Sequence, residues 1–154
     1  MAMGDVKWFV QAEHDLGNKL HDMDTDDLRM GIVTVTTVPA IGTAAPHWGG
    51  TGTTNFATNQ VGVAGTSYTG PIVLATKTWT AASPNITFDA ADITLAQDAL
   101  GFNNGAYGII YNNTDVNKRA LGFIEISAAG TASLVTGSLT IVWNAAGILR
   151  GTAS

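Results

Sequence analysis

Apolar and β-branched residues recur along most of the chain in short runs, which is typical of β-strands. Residues 28–37 (LRMGIVTVTT) are almost continuously apolar or β-branched and predict a strand buried on both faces, ended by Pro39. Residues 106–111 (AYGIIY) lead into a turn-forming cluster at 112–115 (NNTD), from which residues 119–127 (RALGFIEIS) return. These two segments predict a β-hairpin.

Other short runs predict the remaining strands, at residues 72–80, 85–90, 92–95, 139–143 and 147–150. Gly, Asn and Pro turns separate these runs, and no strand alternates with a helical segment. The pattern therefore predicts an all-β fold, a jelly-roll-like β-sandwich of about eight strands. It argues against an α/β sheet that binds nucleotides.

The first 27 residues form a polar leader that differs from the rest of the chain. They contain seven of the twelve acidic residues, whereas residues 30–88 contain one charged residue, Lys77. Apolar leader residues could line one side of a short helix or of an extended arm, and these are Val6, Phe9, Val10, Leu16 and Leu20. Gly17 and the Asp-rich segment are expected to end this element near Leu20. The chain thus divides into a leader, 1–27, packed on its own domain or on a neighbouring subunit, and a β-sandwich domain, 28–154.

The amino-acid composition limits the functional classes to which the protein can belong. Hydrophobic residues make up 45% of the chain, enough for a packed core, while charged residues make up 12%, about half the usual share. The net charge is −5 and the seven Lys and Arg residues are scattered, so direct binding of nucleic acid is disfavoured. A weakly charged surface suits an oligomer or a lattice subunit better than a soluble monomer.

The N-terminal residues MAMGDVKWFV lack the cationic segment and apolar run of a signal peptide. No run of 18 apolar residues occurs, so we expect no transmembrane helix and no membrane partner. The chain has no cysteine, which excludes disulfides and thiolate metal sites.

Candidate chemistry is sparse. The three histidines are His14, His21 and His47. His14 and His21 are seven residues apart, and no H-E-x-x-H motif is present, so polar surface histidines are expected. The acidic segment Asp22–Asp27 invites a calcium site, but an EF-hand loop begun at Asp22 would need Gly at its sixth position and an acid at its twelfth. Those positions hold Asp27 and Val33. A looser cation site and a solvated turn remain the two interpretations, and the turn is favoured.

Catalytic patterns are also lacking. The Gly-rich segment 49–54 has no Lys to reach a phosphate and no helix after it, so we expect a flexible loop. No serine lies in a G-x-S-x-G motif. Asp89 and Asp92 are three residues apart, a spacing that directs side chains of a strand to opposite faces. We therefore expect a non-enzymatic protein with no cofactor and no metal.

Several phrases follow one another along almost the whole chain, at residues 21–29 (HDMDTDDLR), 31–34 (GIVT), 54–55 (TN), 59–61 (NQV), 65–70 (GTSYTG), 88–94 (FDAADIT), 107–114 (YGIIYNNT), 120–124 (ALGFI) and 141–149 (IVWNAAGIL). In this order they resemble a family of small structural proteins of tailed bacteriophages, the capsid cement or head-decoration proteins. The chain departs from the family at Pro71, where a second Gly is frequent, and at Leu95, where Trp is frequent.

The resemblance implies a jelly-roll-like virion protein on the outer surface of the capsid. Its partners would be the major capsid protein and further copies of itself, in a dimer or trimer. The alternative is a tail- or fibre-associated β-sandwich module that binds a host-surface glycan, since aromatic residues in a Gly/Thr loop fit that function too.

Residues 39–58 are rich in Gly, Thr, Ala and Pro without a clear period, and predict a long surface loop of the kind that is usually functional. Aromatic residues commonly supply interface energy. The predicted protein-contact residues are therefore Trp8 and Phe9 of the leader with His47, Trp48 and Phe56 of the loop. Packing of the same five side chains in the domain's own core is the alternative.

Overall fold

The computed structural model describes residues 5–152, and within that range it is mostly β, with 34% of the chain in strands and 8% helical. One α-helix, α1, spans Val10–Gly17, and a 3-10 helix spans Phe56–Asn59. The described strands are β1 (Lys7–Trp8), β2 (Leu28–Val33), β3 (Pro46–His47), β4 (Thr54–Asn55), β5 (Ile72–Val73), β6 (Thr78–Ala82), β7 (Asn85–Asp89), β8 (Ile93–Leu95), β9 (Tyr107–Asn112), β10 (Ala120–Glu125), β11 (Leu139–Ile141) and β12 (Leu149–Thr152).

The central sheet has five antiparallel strands in the order β1-β10-β9-β2-β5. Its middle strands are buried on both faces, because every residue of β9 and five of the six in β2 are buried. The predicted strand at 28–37 is confirmed but ends earlier, at Val33, because the N–H of Thr34 bonds to the carbonyl of Asn59. The predicted hairpin is confirmed as β9 and β10.

Three smaller sheets complete the described fold. β12, β7 and β6 form an antiparallel sheet in that order, β11 pairs with β8, and β3 pairs with β4 in parallel. The predicted β-rich fold is confirmed. Twelve strands are described where about eight were expected. The difference equals the four strands that have only two residues each. The predicted strand at 72–80 is divided into β5 and β6 by a turn in which Thr76 has a φ of 49°.

The leader is part of the central sheet. β1 pairs with β10, so that Lys7 lies opposite Phe123, and the N–H of Phe9 bonds to the carbonyl of Leu121. The following helix begins at Val10 and ends at Gly17, three residues before the predicted end near Leu20. In the described chain the leader thus packs on its own domain.

None of the helices within residues 5–152 is both long enough and apolar enough to cross a membrane.

Candidate interaction surface

The five side chains predicted to contact a partner are buried in the chain's own core. Phe9 and Phe56 are completely buried, and Trp8, His47 and Trp48 are at most 9% exposed. An interface residue must be accessible before its partner arrives, so these side chains do not form an exposed contact surface. Their positions match the alternative of core packing, and the contact surface has to be sought elsewhere.

Trp48 is buried because a glycine of the central sheet leaves space for its ring. A Cβ added to Gly31 would lie 2.1 Å from Cη2 of Trp48, so the indole lies directly on the backbone of β2. The ring also stacks on Tyr111 of β9, with centroids 5.4 Å apart and an interplanar angle of 10°. The loop expected at the surface is thus folded back over the sheet.

The leader aromatics fill a second part of the core. Phe9 lies 5.2 Å from Phe123 and 6.0 Å from Phe56, measured between ring centroids. Trp8 meets Phe88 edge to face at 6.5 Å. Such aromatic pairs stabilise beyond the area they bury. They join the leader, the 39–58 segment and two sheets into one core.

His47 lies inside this folded segment. Its Nδ1 is 3.3 Å from the carbonyl oxygen of Thr54, and its backbone bridges to Arg119. Burial lowers the pKa of His47, because desolvation disfavours the charged imidazole. A neutral, buried histidine of this kind fits a structural position.

An open groove lies beside the first strand. Its floor contains the buried rings of Tyr107 and Phe123, and one wall is formed by the segment 38–41, where Val38 is 63% and Ile41 57% exposed. The volume of the groove is about 710 Å³. The N–H of Val10 bonds to the carbonyl of Ile41 at 2.9 Å and holds this wall against the start of α1.

The rim of the groove is polar. Asp5, Lys7 and Glu125 line it, so a small net negative charge surrounds an apolar floor. Apolar centres with polar rims are typical of protein–protein contact sites. We define Val38, Ile41, Tyr107 and Phe123 with this rim as the 38–41 groove.

A buried polar cluster fixes the leader to the β9–β10 hairpin. The amide of Asn112, which is completely buried, donates to Nδ1 of His21 at 3.0 Å and to Oδ2 of Asp26 at 2.6 Å. Arg119 lies 3.5 Å from the carboxylate of Asp15 and bonds to Asp115 at 2.8 Å. These contacts join side chains of the leader to side chains of the hairpin.

Two atoms of this cluster lack a hydrogen bond within residues 5–152, Oδ2 of Asp15 and Nε2 of His21. They face each other at 3.9 Å, which is too long for a hydrogen bond. Burial lowers the pKa of His21, and this effect exceeds the opposing attraction of Asp15, Asp115 and Asp26. His21 is therefore neutral near pH 7, and the contact is held by hydrogen bonds more than by an ion pair.

The acidic segment 22–27 forms a turn whose carboxylates bind the protein itself. Asp22 accepts hydrogen bonds from the N–H groups of Asp24 and Thr25, which lowers its pKa. Asp27 contacts the guanidinium of Arg29 at 2.7 Å, and that hydrogen bond lowers the pKa of Asp27. Throughout residues 5–152, no three acidic or histidine side chains are grouped as a metal ion would require.

Asp98 is a structural residue that the sequence did not single out. Its carboxylate accepts hydrogen bonds from the N–H groups of Thr66, Ser67 and Leu100. These bonds, led by that of Ser67, lower the pKa of Asp98 to about 2. The bonds to Thr66 and Ser67 span more than 30 residues, so no local pattern could have indicated them.

Comparisons of the chain with protein-family models, with curated proteins and with solved structures each found no match.

Proposed function

We propose that this protein is a structural subunit of a tailed-bacteriophage particle, a cement or decoration protein that binds the outer surface of the capsid shell. In this proposal the major capsid protein is its partner, and further copies of itself complete a dimer or trimer. The chain acts by contact and carries out no reaction.

The 38–41 groove is the observation that carries the proposal. Val38 and Ile41 are more than half exposed beside a floor of buried aromatic rings, so a partner side chain that enters the groove would bury apolar surface on both sides. Burial of apolar area is the main favourable term in most protein association. The weakly charged composition also supports the proposal, as does the order of the sequence segments that resemble those of phage decoration proteins.

We further propose that the strands follow a jelly-roll-like course. The pairings that support it are nested in sequence order. β2 pairs with β9, and the strands before and after them, β1 and β10, pair with each other. In the same way β8 pairs with β11, and β7 pairs with β12. Nested antiparallel pairs arise when a long two-stranded ribbon is folded over itself, as in jelly rolls.

Counting copies in purified particles tests the location. A decoration protein would occur in hundreds of copies, in a fixed ratio to the major capsid protein, whereas a fibre module would occur in few. Densitometry of both proteins in the same gel lane measures the ratio. A low copy number or absence from particles would contradict the proposal.

Substitutions in the groove test the surface. Val38→Lys and Ile41→Lys should each lower the number of copies bound to shells that lack the protein, because a charged side chain would be desolvated on contact. Leu100→Lys is the matched control, since Leu100 is 69% exposed and does not line the groove. Equal binding of all three variants would show that attachment uses another surface.

The glycan-binding alternative loses the observation that favoured it. The aromatic residues of the 39–58 segment, Trp48 and Phe56, are buried and offer no exposed ring on which a sugar could stack. The copy-number measurement above also distinguishes this alternative.

A further inference from the structure

The three-stranded sheet ends in a strand whose outer edge is open. β6 pairs with β7 on one side, and all five of its residues are exposed. Alternate residues of such a strand direct backbone N–H and C=O groups outward, where they can pair with another strand. Within residues 5–152, no backbone hydrogen bond outside the ladder with β7 involves β6.

This edge lacks the protection found at both edges of the central sheet and at β12, the opposite edge of its own sheet. β1 and β5, which end the central sheet, have two residues each, and β12 carries the charge of Arg150. Short edge strands and charged residues are common means of preventing unwanted pairing. β6 has five residues and no charge. Lys77, which precedes it, donates a hydrogen bond back to the carbonyl of Asp26, and Asp89 of β7 lies opposite Thr78.

One face of the same hairpin is apolar and partly uncovered. Trp79 lies opposite Phe88, and Ala81 lies opposite Ile86, so these four side chains share a face. Phe88 is completely buried, but Trp79 is 38% and Ile86 43% exposed. All eleven other Phe, Trp and Tyr residues, which lie within residues 5–152, are buried, so Trp79 is the one exposed side chain of this group.

We propose that β6 pairs antiparallel with β6 of a second copy of this chain, forming a twofold-symmetric dimer with one continuous six-stranded sheet. In the register centred on Thr80, Trp79 lies opposite the partner's Ala81, and Thr80 lies opposite the partner's Thr80. A large ring therefore meets a small side chain twice on the apolar face, and two threonines meet on the other face.

Self-pairing fits this edge better than pairing with a charged partner. The strand offers no charge that a partner's charge could recognise, and the antiparallel arrangement keeps the two Lys77 side chains at opposite ends of the contact. Trp79 also borders an open hollow of about 430 Å³ together with Leu16, Lys19 and Met23, which leaves space beside the indole. Because a twofold contact uses the same surface on both copies, it closes at two.

The dimer should be weak in dilute solution. A five-residue edge offers less than the ~800 Å² per partner of a standard stable interface. Attachment of many copies to one shell would raise their effective concentration and fill the contact. The inference rests on the proposed self-association and names its contact, but it does not depend on capsid attachment, because it requires only the purified chain and a surface separate from the 38–41 groove.

A single cysteine tests the register, because the natural chain has none. Opposite residues of an antiparallel pair have Cα atoms ~4.5–5.5 Å apart, within the ~4.4–6.8 Å that a disulfide spans. Under mild oxidation Thr80→Cys should form a covalent dimer about tenfold faster than Thr136→Cys, an exposed control in a loop, because pairing raises the local thiol concentration. Equal rates for the two variants would overturn the inference.

Charge reversal tests the pairing without a covalent bond. Thr80→Lys and Thr80→Glu should each reduce dimer formation in sedimentation equilibrium, because like charges then lie directly opposite. An equimolar mixture of the two should recover it, which also shows that both variants fold; Thr136→Lys serves as the unaffected control. If the mixture associates no better than its components, β6 does not pair with itself. The same conclusion follows if Thr80→Cys stays monomeric while Thr80→Lys lowers shell binding.

Discussion

Gly31 and Trp48 depend on each other although they are distant in the sequence. The indole occupies the space that a side chain at position 31 would take, and it lies flat on Tyr111. Nothing near Trp48 in the sequence shows which glycine will receive it. This is why an aromatic residue in a Gly-rich segment was predicted to face a partner and instead lies in the core.

Gly31→Ala should therefore destabilise the fold. The new methyl group would overlap the ring of Trp48, and overpacking of this kind costs about 1–3 kcal/mol of unfolding free energy. Gly42→Ala is the matched control, because no atom lies within 4 Å of its added Cβ. Denaturant unfolding of both variants measures the difference. Equal stability would mean that Trp48 has room to move away.

His21 should make stability depend on pH. Its pKa in the folded chain is below the ordinary 6.5, because burial disfavours the charged ring, so the unfolded chain binds a proton more readily. The stabilisation is complete above about pH 6.5 and is lost as the pH falls below that value, until the folded pKa is passed. His47 contributes in the same direction.

Thermal unfolding measured between about pH 7.5 and pH 5 tests this expectation. This range extends about one unit or more on either side of 6.5, the ordinary pKa of histidine. His21→Gln should flatten the dependence on pH in part, since His47 remains. A slope as steep in His21→Gln as in the unchanged protein would exclude His21 as its source.

The secondary-structure elements that the sequence predicted are those that a local residue pattern encodes. The β-branched run became β2, and the turn cluster at 112–115 joined β9 to β10. β1 has only two residues and is held in the sheet by its pairing with β10. The segment around His47 is held by a hydrogen bond from the backbone N–H of Trp48 to the carbonyl of Lys118. Such pairings are made between distant segments, so no local periodicity indicates them.

The leader is an element that the rest of the fold requires. Phe9 is completely buried between Phe56 and Phe123, so Phe9→Ala should cost about 3–5 kcal/mol of unfolding free energy. Val10→Ala is the control, because Val10 is 60% exposed and should change stability by less than about 0.5 kcal/mol. Chemical unfolding measures both. A stable Phe9→Ala variant that binds shells poorly would instead assign Phe9 to an interface.

At the scale of the whole molecule, the few charges are largely used within the chain. Arg29 and Arg119 pair with Asp27 and Asp115, and the ammonium of Lys118 bonds to the backbone of Asn113. The protein nevertheless keeps a net charge of −5, because hydrogen bonds to the backbone do not cancel charge. The 38–41 groove has apolar residues inside its charged rim, and β6 has no charged residue, so contact at these two surfaces should depend mainly on excluding water.

Attachment to the shell should therefore resist salt. Raising the ionic strength from about 0.1 M to about 1 M shortens the Debye length from ~10 Å to ~3 Å and weakens contacts between exposed charges. An apolar contact is unaffected by this screening, and sulfate should strengthen it, because excluded salts favour burial of surface. The measurement is the number of copies that sediment with shells across a series of sodium chloride and ammonium sulfate concentrations. Release of the protein as sodium chloride rises would show that charged contacts hold it, and the 38–41 groove would then not be the site of attachment.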